Sequence, residues 1–259
     1  MTLFFSISAI ILYLSTAGYQ LGYLFDIYKK PQRKLLIGAG LLAVLCHSLT
    51  LLSAAIDFGF FNIASLIFWF ISLLVILSTL KRPTDNLLVA LFPLAAIAIL
   101  TARLNDAPHS LNQNYDVGLL LHIISSILAY SILTIASMQA LALSLQDYQL
   151  KHHRLKGLLN KLPPLQTMEN MLFELLWLGV GLLTLSIMSG LIFLEDIFAQ
   201  HLAHKSALTI AAWCIFSTLL WGHKQLGWRS QTAVKWTLVG FVALMLGYFG
   251  SKFVLELLL

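Results

Sequence analysis

Along the 259 residues, polar positions come in short clusters and apolar positions in long runs. A helix rises about 1.5 Å per residue, so crossing a hydrocarbon core of about 30 Å takes roughly 20 apolar residues. The runs predict eight transmembrane helices, at about 3–25, 35–56, 62–80, 87–102, 117–146, 172–194, 206–222 and 233–258. The first lacks a basic start and runs into Tyr23, Leu24 and Phe25 without a small-residue cleavage site, so it reads as a retained helix and not a signal peptide. The fourth is the shortest and contains Pro93, which a bundle tolerates where neighbouring groups satisfy the freed carbonyl. The fifth is longer than a bilayer requires, and tilts or extends past the surface through Gln146 and Asp147. The expected fold is an all-α, polytopic transmembrane bundle of about eight helices, a single integral membrane domain over residues 1–259.

Composition agrees. Hydrophobic residues make up 59% of the chain and charged residues 10%, with a mean hydropathy of +0.86, whereas a soluble domain carries about a quarter charged residues. So few charges leave a water-facing surface uncovered. Cys46 and Cys214 both fall inside apolar segments and read as small packing residues, not a disulfide framework. No Cys-x-x-Cys-His occurs, which excludes a c-type cytochrome. The net charge of +5 raises nucleic acid as a partner, but the charges are placed for membrane orientation, and no nucleic acid is expected.

One set of loops holds Lys29, Lys30, Arg33, Lys34, Lys81, Arg82, Lys151, Arg154, Lys156, Lys161, Lys224, Arg229 and Lys235, which is 13 of the 16 basic residues. The alternate set, with the C-terminus, holds only Arg103, Lys205 and Lys252. Since Lys and Arg mark cytoplasmic loops, both termini are expected outside the cytoplasm. The longest inner segment, 147–171, predicts a membrane-surface helix to about Leu159, ended by Pro163-Pro164, with its basic residues on lipid headgroups.

Ionisable groups inside spans are costly and commonly functional. His47 lies in the middle of the second span, His122 about five residues into the fifth, and His223 at the cytoplasmic end of the seventh. Each also has a plain reading: His47 as a hydrogen-bonded core residue, His122 as a packing residue, His223 as an interfacial ring reaching for water. Ser126 and Tyr130 follow His122 at i+4 and i+8, so the three share a face that should point into the bundle. His109, His152, His153, His201 and His204 read as solvated loop residues, and Lys252 with Glu256 as a local ion pair. No charged ladder crosses the membrane, which speaks against an ion pump. By depth, His47 and His122 are level enough to face one ligand, and two imidazoles in an apolar bundle suit a haem iron. Zinc wants a third ligand, and no other histidine is at that level. Arg103 and Lys205 are placed to neutralise haem propionates, with Trp213 and Phe216 as ring neighbours.

Four stretches carry a family resemblance: His122-Ile-Ile-Ser-Ser-Ile-Leu-Ala-Tyr130, Leu182-Leu-Thr-Leu-Ser-Ile-Met-Ser-Gly-Leu-Ile-Phe193, Trp221-Gly-His-Lys-Gln-Leu-Gly-Trp228 and Gly247-Tyr-Phe-Gly-Ser-Lys252. In order and content, over roughly 117–255, they resemble the CcsA-type cytochrome c assembly proteins, and within them the short YpjD-type inner membrane proteins of Gram-negative bacteria. The resemblance implies a bacterial inner membrane location and partners among cytochrome c biogenesis proteins. It also implies haem handling, with His122 matching a haem-site histidine near the outer face and His223 the histidine on the helix after the outer haem loop. The full-length relatives carry a tryptophan-rich outer loop and a further histidine on the last helix. Here Glu195-Asp-Ile-Phe-Ala-Gln-His-Leu-Ala-His-Lys205 has no tryptophan and Ser251 to Leu259 no histidine. A haem-binding or accessory role is therefore expected, with His122 and His47 as ligands, and not a haem-attaching enzyme. Two other readings stand beside it: a regulatory or interaction protein of the same fold without haem, like the HemX-type relatives, and a small-molecule or lipid transporter.

Overall fold

The computed structural model describes residues 2–27, 32–53, 59–105, 117–152, 161–193 and 203–247. Every regular element among them is helical: α1 (Thr2–Leu24), α2 (Arg33–Ser53), α3 (Phe60–Lys81), a 3-10 turn (Asp85–Leu87) leading into α4 (Leu88–Leu104), α5 (Val117–Lys151), α6 (Leu165–Phe193), α7 (Ala203–Leu226) and α8 (Ser230–Met245). Seven described segments are long and apolar enough to cross a membrane. The exception is α8, whose described part is 16 residues; the expected span at 233–258 runs beyond the described residues. Of the expected surface helix, residues 147–151 instead continue α5 and 153–159 lie outside the described residues; so do the outer loop at 195–202, the Lys252–Glu256 pair, and His109, His153, His201 and the side chain of His204.

The helices form two compact units, Met1–Asn112 with Arg154–Pro163, and Gln113–His153 with Pro164–Leu259. In the first, α1 packs on α2 and α4, and α3 on α2 and α4, so the four close into a ring. In the second, α5 packs on α6 and α8, and α7 on α6 and α8, closing a second ring in the same cyclic order.

Side-chain partition shows what solvent the helices are built for. In α1, Ser6, Ala9, Tyr13, Thr16 and Gln20 recur at helical spacing and are buried, while Leu3, Ile7, Ile11, Leu14 and Leu21 are exposed. In α5, Ser125, Ala129, Ile132, Ala136 and Ala140 point inward, and Leu120, Leu121, Ile124, Leu141 and Leu145 outward. Small and hydroxyl-bearing residues let backbones approach, and large aliphatics meet lipid, the arrangement of a membrane bundle. Most of the inward hydroxyls return to their own helix: Thr16 Oγ1 donates to the Leu12 carbonyl (2.7 Å), Ser131 Oγ to Ile127 (2.8 Å) and Thr134 Oγ1 to Tyr130 (2.7 Å). That satisfies the group where no water is at hand.

Glycine sets the closest approach in the second unit. A Cβ on Gly179 of α6 would lie 2.6 Å from Leu133 Cδ2 of α5, and one on Gly118 would collide with the Phe193 ring at the far end of the same helix pair. These contacts fix the antiparallel register of α5 on α6 and set His122, one turn beyond Gly118, opposite Ser186. Helix α4 continues through Pro93, and α6 begins directly after Pro163-Pro164, the Pro164 carbonyl accepting the Met168 N–H (3.1 Å).

Candidate functional site

The three membrane histidines differ in how their nitrogens are held. His47 is fully buried in the first unit. Its Nδ1 lies 3.2 Å from the Tyr13 hydroxyl and its Nε2 3.0 Å from Ser65 Oγ, so it joins α1, α2 and α3 through both nitrogens. Tyr13 is held in turn by Phe92 of α4, edge to face with centroids 4.8 Å apart. Both partners are hydroxyls, able to donate or accept, so they do not dictate a tautomer. As placed, His47 ligates a metal only by giving up one of these bonds.

His122 sits in the second turn of α5, half-buried. Its Nδ1 is 2.8 Å from the backbone carbonyl of Ser186 on α6. A carbonyl only accepts, so Nδ1 carries the hydrogen and the neutral ring presents its lone pair at Nε2. Among the described residues Nε2 makes no hydrogen bond. Ser126, one turn along, donates to the His122 carbonyl or meets Ser186 Oγ, both at 2.6 Å. Tyr130 is buried, its hydroxyl 3.4 Å from the Leu244 carbonyl of α8. The polar face of His122, Ser126 and Tyr130 thus turns inward. Lys205 lies in the first turn of α7, in the same unit as His122.

His223 repeats the arrangement at the other end of the same unit. Its Nδ1 donates to the Trp228 carbonyl (2.8 Å), its ring stacks on Phe173 with centroids 3.4 Å apart at 15°, and Nε2 has no hydrogen bond among the described residues. Two antiparallel crossings separate α5 from α7, so these helices run the same way; at about 1.5 Å per residue, His122 and His223 are roughly 20 Å apart along the helix direction.

Of the other expected residues, Arg103 belongs to the first unit and donates from Nε to Ser6 Oγ (2.9 Å). Trp213 donates its indole N–H to Thr184 Oγ1 (2.8 Å), and Phe216 is buried against Gly240 of α8. The structure therefore places His122 and Lys205 in the second unit, and His47 and Arg103 in the first. Sequence reasoning missed Ser186, whose relevant group is a backbone carbonyl and carries no residue-type signal, and Phe173, which looks like any apolar residue of α6. It also missed Glu169, a carboxylate inside the helix that begins earlier than the apolar run, at Leu165.

Glu169 is buried yet fully engaged. It accepts from Arg229 Nε at 3.1 Å and from the Ser230 backbone N–H at 3.3 Å, while Arg229 also reaches Gln166 Oε1 at 2.9 Å. Asp147 of α5 accepts from Gln231 Nε2 (2.6 Å) and Lys151 Nζ (2.8 Å). Two carboxylates thus lie at the N-terminus of α8, where free N–H groups and the helix dipole favour negative charge. The turn needs the support: Gly227 (φ +68°) and Ser230 (φ +47°) are both left-handed, a conformation costing about 1–2 kcal/mol for a residue with a Cβ. No group of three or more His, Cys, Asp or Glu side chains among the described residues is arranged to hold a bare metal ion. An iron already held by a porphyrin asks less of the protein, one or two axial imidazoles, and an imidazole whose Nδ1–H is tied to a carbonyl is oriented for that task. His122 and His223 fit the group on this ground.

Fold and side-chain partition together define a polytopic helical membrane protein with pre-oriented imidazoles in its second half. The family model for the cytochrome c assembly protein matches residues 35–259, and the chain belongs to that family. It is 31% identical over 233 residues to the inner membrane protein YpjD of Escherichia coli (strain K12), covering 87% of this chain and 88% of the relative. It is 24% identical to the cytochrome c biogenesis protein CcsA of Guillardia theta, over 96% and 92% of the two chains, and 26% identical to the protein HemX of Brevibacillus brevis over 51% and 49%. No solved structure matches.

Proposed function

We propose that the protein is a haem-binding component of cytochrome c assembly in the bacterial inner membrane. The observation that carries this reading is the hydrogen bond from His122 Nδ1 to the Ser186 carbonyl, which leaves Nε2 as the lone-pair nitrogen at the end of the bundle that begins α5. Family membership supports the pathway, and the relative named an inner membrane protein supports the location. His122 would hold the iron through Nε2, and Lys205 of the same unit would supply the cation that a buried carboxylate of the haem needs. His223 is a second oriented imidazole at the cytoplasmic end. His47, with both nitrogens in hydrogen bonds, serves the first unit's core. Bound haem supplies an iron that takes imidazole and changes redox state. The protein's part is to hold ring nitrogens of the right tautomer in an apolar surround.

His122→Ala tests the assignment. Detergent-purified His122→Ala protein is expected to lose most of its bound haem, or to show a shifted Soret band, while accumulating at near-normal levels. His47→Ala is expected to weaken the fold without removing ligation at His122. An unchanged haem spectrum in His122→Ala would overturn the ligand assignment.

A further inference from the structure

The histidine at the α7–α8 end, His223, is oriented by a nearby turn that is itself held by residues far away in sequence. The Trp228 carbonyl that receives His223 Nδ1–H belongs to the turn between Leu226 and Ser230, and that turn is left-handed at Gly227 and Ser230. A left-handed serine persists only where its surroundings over-determine it. Here the determinant is Glu169, which accepts from Arg229 Nε and from the N–H of Ser230 itself. One helical turn further along α6, on the same face, Phe173 stacks on the His223 ring. A single face of α6 therefore controls both the plane of the imidazole, through Phe173, and its hydrogen-bond acceptor, through Glu169 and the turn.

We propose that Glu169 is a positioning residue for His223: by holding Arg229 and the Ser230 N–H, it fixes the α7–α8 turn so that the Trp228 carbonyl keeps His223 in the Nδ1–H tautomer with Nε2 free for a ligand. The proposal rests on the reading of His223 as a ligand-binding imidazole. Glu169 itself touches no ligand. It acts through four links, Glu169 to Ser230 and Arg229, the turn backbone, the Trp228 carbonyl and the ring.

The tautomer is directly measurable without haem. In full-length protein carrying 15N-labelled histidine, in detergent micelles, a long-range 1H–15N correlation distinguishes Nδ1–H from Nε2–H rings, and the His223 signals are assigned by their loss in His223→Gln. The wild type is expected to show one Nδ1–H species. Glu169→Ala is expected to show a mixture of tautomers at His223. Glu169→Gln keeps an oxygen that accepts both donors and is expected to restore the single species. Tyr13→Phe, which weakens the first unit, is expected to leave His223 unchanged, separating positioning from loss of stability. Should Glu169→Ala fail to fold, Arg229→Gln interrogates the same link and is expected to give the mixture. A single Nδ1–H species retained in folded Glu169→Ala or Arg229→Gln protein would overturn the proposal and leave the His122 reading untouched. Intact protein that binds no haem would overturn that reading and leave the Glu169 coupling standing.

Discussion

At the scale of single residues, the partners of a histidine's nitrogens say more than its depth. His47 and His122 look alike in sequence, each a lone imidazole in an apolar run. The structure separates them: His47 meets two hydroxyls, and His122 meets a carbonyl that fixes its tautomer. Removing one hydroxyl leaves a buried ring nitrogen without a partner, which costs about 1–3 kcal/mol in soluble proteins and averages nearer 0.6 kcal/mol across measured membrane pairs. Tyr13→Phe and Ser65→Ala are therefore each expected to destabilise by about 0.5–2 kcal/mol, read as a lower unfolding temperature in detergent. The double variant should cost less than the sum, because both act on one ring. Unaltered unfolding in both single variants would show that the network contributes nothing. The shared face of His122, Ser126 and Tyr130 was legible in the sequence from their spacing. The Ser186 carbonyl was not, because any residue type supplies one.

At the scale of elements, the hydrophobic runs located the helix starts to within a few residues, apart from one informative departure. Helix α6 starts at Leu165, seven residues before the apolar run, while α5 continues to Lys151, the extension through Gln146 and Asp147 that the length of its run allowed. In both cases the added polar residues find partners at the start of α8: Arg229, its N-cap, for Glu169, and Gln231 for Asp147, which also pairs with Lys151 one turn along α5. An apolar-run criterion stops where charge begins, and cannot see that Arg229, sixty residues away, neutralises Glu169. Packing of α5 on α6 gives a graded prediction. A Cβ on Gly179 meets Leu133, which is wholly buried with no room to retreat, so Gly179→Ala is expected to cost about 1–3 kcal/mol by overpacking. A Cβ on Gly118 meets Phe193, which ends its helix and is half exposed. Gly118→Ala should therefore cost less, because that ring has somewhere to go. Thermal unfolding of the two variants side by side checks the order, and an equal or reversed order would contradict this account of the register.

At the scale of the whole molecule, the alternation of basic and non-basic loops predicts the topology. With 13 of 16 basic residues in one set of loops, reporter fusions near Lys156 should read as cytoplasmic and fusions at Leu259 as non-cytoplasmic. A cytoplasmic signal at Leu259 would remove the eight-span arrangement. Within the second unit, His122 and His223 lie toward opposite ends of one four-helix ring, each with Nδ1 held by a backbone carbonyl; that loop alternation would set His122 toward the outer side and His223 toward the cytoplasm. The family was legible from the order of four short stretches; the division of the chain into two rings was not, since it depends on which helices pack and not on where they begin. The central claim is that the intact protein carries haem, and its most direct test is the visible spectrum of the detergent-purified wild type, with a pyridine haemochrome assay for haem per chain. The account predicts a Soret band and near-stoichiometric haem after expression with adequate haem supply. Protein that is folded, by its helical circular dichroism and cooperative unfolding, yet shows no Soret band and takes up no added haemin would contradict it.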